Sequence, residues 1–184
     1  MKFIRFLLFL IGITSNLFIF ICISFTPLYS APLKEGKNFF IYDCKLREIN
    51  SNDNVLAWDI FRGANEALEK SKNCLPKKYY NDIINYLQKQ KLVFFINCSK
   101  SKNCGKTTQS FSKGLFIELF YESIYIEGAC GCVEATILHE LLHWGAGLSG
   151  SNENEKKAYG CEEKCFPECA KDRKGVEPED CCND

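Results

Sequence analysis

Histidine occurs only twice in the 184-residue chain, at His139 and His143, and a glutamate follows the first, so that the segment His139-Glu140-Leu141-Leu142-His143 reads HExxH. Two histidines four apart on a helix stand one turn above each other, and both imidazoles can reach one metal ion. Glu140, turned about 100° around the axis from His139, can stand beside a water on that metal and take its proton. Zinc suits such a set. A catalytic zinc takes three protein ligands and keeps a fourth position for water, whose pKa falls to about 7. The expected cofactor is therefore one catalytic zinc ion, with His139 and His143 as ligands and Glu140 as the catalytic acid–base group.

The elements around the motif must hold this geometry. Val133, Ile137, Leu138, Leu141 and Leu142 supply an apolar stripe, and nothing from Val133 to Trp144 interrupts a helix. Gly145 and Gly147 then end it.

With no third histidine, a carboxylate must complete the site. The longer pattern HExxHxxGxxH is excluded, because Ala146 and Ser149 stand where it needs Gly and His. The candidates are Glu153, Glu155, Glu162, Glu163 and, more remotely, Asp172; Cys161 is expected in a disulfide instead. The choice is Glu155. It lies in Asn154-Glu155-Lys156-Lys157-Ala158-Tyr159, which reads as the first turns of a helix, and Ala158 is small enough to let that helix pack against the His139 helix. Glu155, Tyr159 and Glu162 share one face of it, making Glu162 the alternative ligand. Tyr159 is the second catalytic candidate, able to hydrogen-bond a developing oxyanion or to orient a ligand.

The amino terminus carries Lys2 and Arg5, an apolar stretch from Phe6 to Phe25, and small or polar residues at Ser30-Ala31. Residues 1–30 thus resemble a secretory signal peptide, with an N-terminal membrane anchor as the alternative if the segment stays uncleaved. Removing it takes away two cations and no carboxylates, leaving 21 basic against 23 acidic side chains and a net charge of −2. No basic footprint for nucleic acid remains. Residues 31–184 suit one domain with a Cys-rich C-terminal tail. Of the 12 cysteines, 11 remain once Cys22 is lost, a density that implies disulfides in an oxidising, extracellular or periplasmic space. A structural zinc at Cys161, Cys165 and Cys169 is a minor alternative to those disulfides, and Cys44 is conceivable as an inhibitory thiolate on a catalytic metal.

Helical spacing runs from Asn54 to about Lys72 through Val55, Leu56, Ile60, Phe61, Ala64 and Leu68, and a second helix is expected after Pro76 with Tyr80, Ile83, Ile84 and Leu87 on its apolar face. The period then changes. Leu92 to Ile96 reads as a short buried strand, Lys113 to Phe120 alternates, and Ser123 to Ile126 reads as a further strand. A turn through Gly128-Ala129-Cys130-Gly131-Cys132 delivers the chain to the metal helix.

This layout is α+β: N-terminal helices, a small mixed or antiparallel sheet, the HExxH helix and a following ligand helix. It resembles the zincin peptidases, and within them the deuterolysin-like aspzincins, secreted zinc endopeptidases. Their pattern is an α-rich first part, a paired-cysteine β region, HExxH, then an acidic ligand shortly ahead of Tyr-Gly and a Cys. Here Cys98 and Cys104 flank the β region, and Glu155 precedes Tyr159-Gly160 and Cys161. The aspzincin ligand, an Asp three residues before the Tyr, is replaced by Lys156, and Glu155 in Asn-Glu-x-x-Ala looks more like the ligand helix of gluzincins. The resemblance implies a secreted zinc metalloendopeptidase acting on protein or peptide substrates, which the Ser123–Ile126 strand would bind as an added strand. The rival expectation is a disulfide-rich secreted binding or toxin-like module whose HELLH helix is structural or non-catalytic.

Overall fold

The computed structural model describes residues 33–110, 114–148, 151–169 and 181. The expected leader at 1–30, Asp172, Cys22 and Cys182 lie outside the described residues. Among the described residues, no helix is long and apolar enough to cross a membrane.

The described fold begins with β1 (Phe39–Tyr42) and the two-residue β2 (Glu48–Ile49), then enters α1 (Val55–Cys74), whose first amides are held by the Asn54 side chain, which accepts from Leu56 and Ala57. Helix α2 (Lys77–Lys89) starts directly after Pro76, and buries Tyr79, Ile83 and Leu87, with Tyr80 and Ile84 packed at the edge of the core. Strands β3 (Leu92–Asn97), β4 (Gly105–Ser110) and β5 (Gly114–Phe120) follow. They build a mixed five-stranded sheet in the order β2-β1-β3-β5-β4, with β1, β3 and β5 parallel and the outer β2 and β4 antiparallel. Two helices end the described fold: α3 (Val133–Gly145) and α4 (Asn152–Cys165), the latter capped by Ser151, which accepts from the Asn154 amide at 3.1 Å. The architecture is α+β with a small mixed sheet, as the sequence leads one to expect.

One face of the sheet is the core. Phe39, Ile41, Leu92, Phe94, Ile96, Leu115, Ile117 and Leu119 are all buried on it. On the other face Tyr42, Phe95 and Phe116 stack in a row, with successive ring centroids 5.4 Å apart. Helix α3 is the central helix, packed against α1, α2, α4 and β4, and every residue from Val133 to Leu142 except Glu134 is buried. Two glycines let neighbouring helices approach it. A Cβ on Gly63 of α1 would lie 2.9 Å from Val133 Cγ1, and one on Gly145 would lie 2.6 Å from Ile83 Cγ1 of α2.

Five disulfides tie this frame: Cys44–Cys98, Cys74–Cys165, Cys104–Cys130, Cys132–Cys169 and Cys161–Cys181. Cys161 is in a disulfide, as expected. The pairing rules out two alternatives: Cys161, Cys165 and Cys169 have no free sulfurs for a structural zinc, and Cys44 is no free thiolate. Glu134 lies close to the Cys132 and Cys169 sulfurs, but the disulfide between them leaves no thiolate to hold a metal there.

A further correction concerns Ser123–Ile126. This segment is not a strand but a π-helical turn, Glu122–Ile126, closed by the Glu127 amide donating to the Glu122 carbonyl at 2.8 Å. A short apolar run with Ile124 and Ile126 two apart fits either element. The tertiary contacts favour the coil: Tyr121 and Tyr125, four apart, stack at 5.3 Å, Tyr125 donates to Asp59 on α1 at 2.9 Å, and Ser123 donates to the Ser101 carbonyl at 2.6 Å.

The open edge next to α3 is therefore β4, which has β5 on one side and no strand on the other among the described residues. The Phe120 amide donates to the Cys104 carbonyl at 3.0 Å, and pairing continues without interruption from Gly105↔Leu119 to Ser110↔Gly114. By the alternation of an antiparallel ladder, Lys106 and Thr108 turn their backbone groups toward β5 while Gly105 and Thr107 turn theirs outward.

Candidate metal centre

His139 and His143 lie on one face of α3, and their Nε2 atoms face each other 3.0 Å apart. Glu155, from the first turn of α4, completes a triangle: its Oε2 is 3.1 Å from His139 Nε2 and 3.5 Å from His143 Nε2. Helix α4 packs against α3, which brings Glu155 to the histidines, and Ala158, on the same helix, is fully buried.

The other ring nitrogens fix the protons. His143 Nδ1 is hydrogen-bonded to the Leu148 carbonyl, which can only accept, so that nitrogen carries the hydrogen. His139 Nδ1 donates in the same way to Glu162 Oε2 at 3.1 Å. In the neutral rings both Nε2 atoms then present bare lone pairs to each other, an arrangement that repels unless a cation or proton lies between them. A tetrahedral ion with ligand bonds of about 2.0–2.1 Å separates its ligands by roughly 3.3 Å, and the observed triangle has edges close to that. Two imidazoles, one carboxylate and hydrogen-bonded outer nitrogens thus fit a zinc ion.

The electrostatics agree with a cation site. Burial opposes charge on His139, but the carboxylates of Glu155 and Glu162 outweigh it, and without a metal its pKa is pushed up to about 9. The hydrogen bond from His139, aided by its charge, holds Glu155 below the usual carboxylate range despite partial burial.

Glu140 points elsewhere on the helix surface, toward β4. It is 5% exposed, and burial raises its pKa against the opposing influence of His139, Thr107 and His143. The Thr107 hydroxyl donates to Glu140 Oε2, and the Glu140 backbone carbonyl lies 3.3 Å from the same hydroxyl. The other oxygen lies against Gly105, where an added Cβ would be 2.7 Å from Oε1 and 2.8 Å from Cγ.

The remaining sequence candidates divide clearly. Tyr159 packs its ring on His139, with centroids 4.4 Å apart. Glu162 is buried behind His139, on the nitrogen away from the triangle, whereas Glu153 and Glu163 are exposed. Sequence reasoning missed Thr107, Gly105 and the Leu148 carbonyl. A carbonyl leaves no trace in residue type, and Gly105-Lys106-Thr107-Thr108 is too short and polar to announce a strand beneath a buried glutamate.

No protein-family model matches the sequence, and neither a curated protein nor a solved structure matches it.

Proposed function

We propose that this chain is a secreted zinc-dependent endopeptidase with a zincin-like arrangement of helix, edge strand and ligand helix, in which His139, His143 and Glu155 hold the metal. The observation that carries the reading is the triangle of two imidazole Nε2 atoms and one carboxylate oxygen, each histidine fixed by a hydrogen bond at its other nitrogen. A zinc ion bound there supplies Lewis acidity and a water acidic enough to act as nucleophile near neutral pH.

The chain's own groups supply the rest. Glu140 is a carboxylate in a largely water-excluded niche and can accept a proton from the attacking water and return it to the leaving amine. Burial favours that exchange, since a raised pKa brings a carboxylate closer to the range in which it both takes and gives a proton. Tyr159 restrains the His139 ring by packing on it. The open edge of β4, in place of the Ser123–Ile126 segment, can take an extended peptide as an added strand, with the outward backbone groups of Gly105 and Thr107 as partners. Five disulfides agree with an oxidising compartment.

The test is degradation of an unfolded protein by the disulfide-intact residues 31–184. Wild type should cleave it, addition of a zinc chelator should abolish cleavage, and Glu140→Gln should retain one zinc while losing at least about 100-fold in turnover. A Glu140→Gln protein as active as wild type removes Glu140 from the chemistry, and a wild type that binds no zinc overturns the reading.

A further inference from the structure

Glu140 is held from outside its own helix, and the group that holds it belongs to the strand with the open edge. Thr107 stands opposite Ile117 in the β4–β5 pair, so its side chain shares the buried face of the sheet and meets α3. Its hydroxyl has one proton, and this goes to the Glu140 carboxylate. The backbone N–H and C=O of the same residue face away from β5, toward whatever pairs with the edge. Gly105, two residues earlier and on the same face, closes the other side of the niche by having no Cβ.

We propose that Thr107 is a positioning residue for Glu140, its hydroxyl holding the carboxylate while Gly105, with no Cβ, leaves room for it. This rests on the hydrolase reading above. A peptide paired along the edge restrains the Thr107 backbone, and the hydroxyl of that residue in turn restrains Glu140 while the peptide is bound.

The experiment compares wild type, Thr107→Val, Thr107→Ser and Gly105→Ala on one unfolded substrate, with kcat, KM, bound zinc and thermal unfolding measured for each. Thr107→Val removes the hydroxyl at nearly constant shape and should lower kcat by about 10- to 100-fold, the usual scale for losing an outer hydrogen bond to an active-site group. It should leave zinc content at one per chain and KM within about threefold. Thr107→Ser keeps the hydroxyl and should restore most of kcat. Gly105→Ala sets a Cβ 2.7 Å from Glu140 Oε1 and 2.8 Å from its Cγ, so the Glu140 side chain must shift and kcat should fall. An unchanged kcat in Thr107→Val, loss of zinc or folding in that variant, or a Thr107→Ser protein as impaired as Thr107→Val would each overturn the proposal while leaving the hydrolase reading intact. A wild type with no cleavage and no zinc brings down both.

Discussion

Glu155 and Glu162 sit on one face of α4 and both touch His139, but on opposite nitrogens, and this separates their tasks. Glu155 faces the shared Nε2 corner, while Glu162 accepts from Nδ1 behind it. Glu155→Ala should therefore abolish stoichiometric zinc binding, whereas Glu162→Gln, which keeps an acceptor oxygen, should weaken it by about 10- to 100-fold, as is usual for outer partners of a ligating histidine. Zinc titration with a competing chelator distinguishes them; the reverse order would make Glu162 the ligand. The sequence places both residues on the correct face, since seven residues make two turns. Which of the two reaches the free nitrogen is decided by the azimuth at which α4 meets α3, a property of packing rather than of spacing.

At the level of elements, α4 carries the proposed ligand Glu155, and one small residue of the same helix, Ala158, is fully buried. Ala158 is 0% exposed on α4, which packs against both α3 and α1, so Ala158→Leu must displace α4. The cost of such overpacking is about 1–3 kcal/mol. Because the displacement carries Glu155 with it, zinc affinity should fall at least about tenfold even in protein that remains folded, a result to be read from thermal unfolding and zinc titration together. A variant that loses stability but binds zinc normally would show that Glu155 does not depend on this contact. The helices were legible in the sequence because a long amphipathic pattern identifies itself. Strands β1, β2 and β4 were not, being four, two and six residues long, and for β4 the polar stretch Gly105–Ser110 becomes a strand only through its pairing with β5. The Glu122–Ile126 turn went the other way for the same reason: its alternating residues resemble a strand until Tyr125 finds Asp59.

At the scale of the molecule, the disulfides connect the parts that the site brings together. Cys104–Cys130 joins the start of β4 to the turn entering α3, and so links the open sheet edge to the histidine helix across 26 residues. Loop-closure entropy for a bridge of that span is worth about 3 kcal/mol. Replacing both cysteines with serine should lower Tm by about 10 °C, given roughly 2–4 °C per kcal/mol for a chain of this size. Calorimetry of the zinc-loaded protein checks this, and an unchanged Tm would mean that the bridge contributes nothing to the fold. Connectivity of this kind is invisible in a list of cysteines, because each thiol has many sequence partners and only the fold brings one sulfur within bonding reach.

What the sequence determined by itself was the chemistry with a local period: two histidines one helical turn apart, a glutamate between them, a carboxylate helix following, and enough cysteines to require bridges. Those features follow from 3.6 residues per turn and from residue type, which need no knowledge of distant contacts. Only the tertiary structure decided that Glu155 rather than Glu162 faces both histidines, that β4 rather than the segment before α3 forms the open edge, and that Thr107 and Gly105 enclose Glu140. The meetings at the histidines and at Glu140 join residues from distant parts of the sequence, Glu155 with His143 and Gly105 with Glu140, set by how helices and strands pack, and no local pattern encodes them.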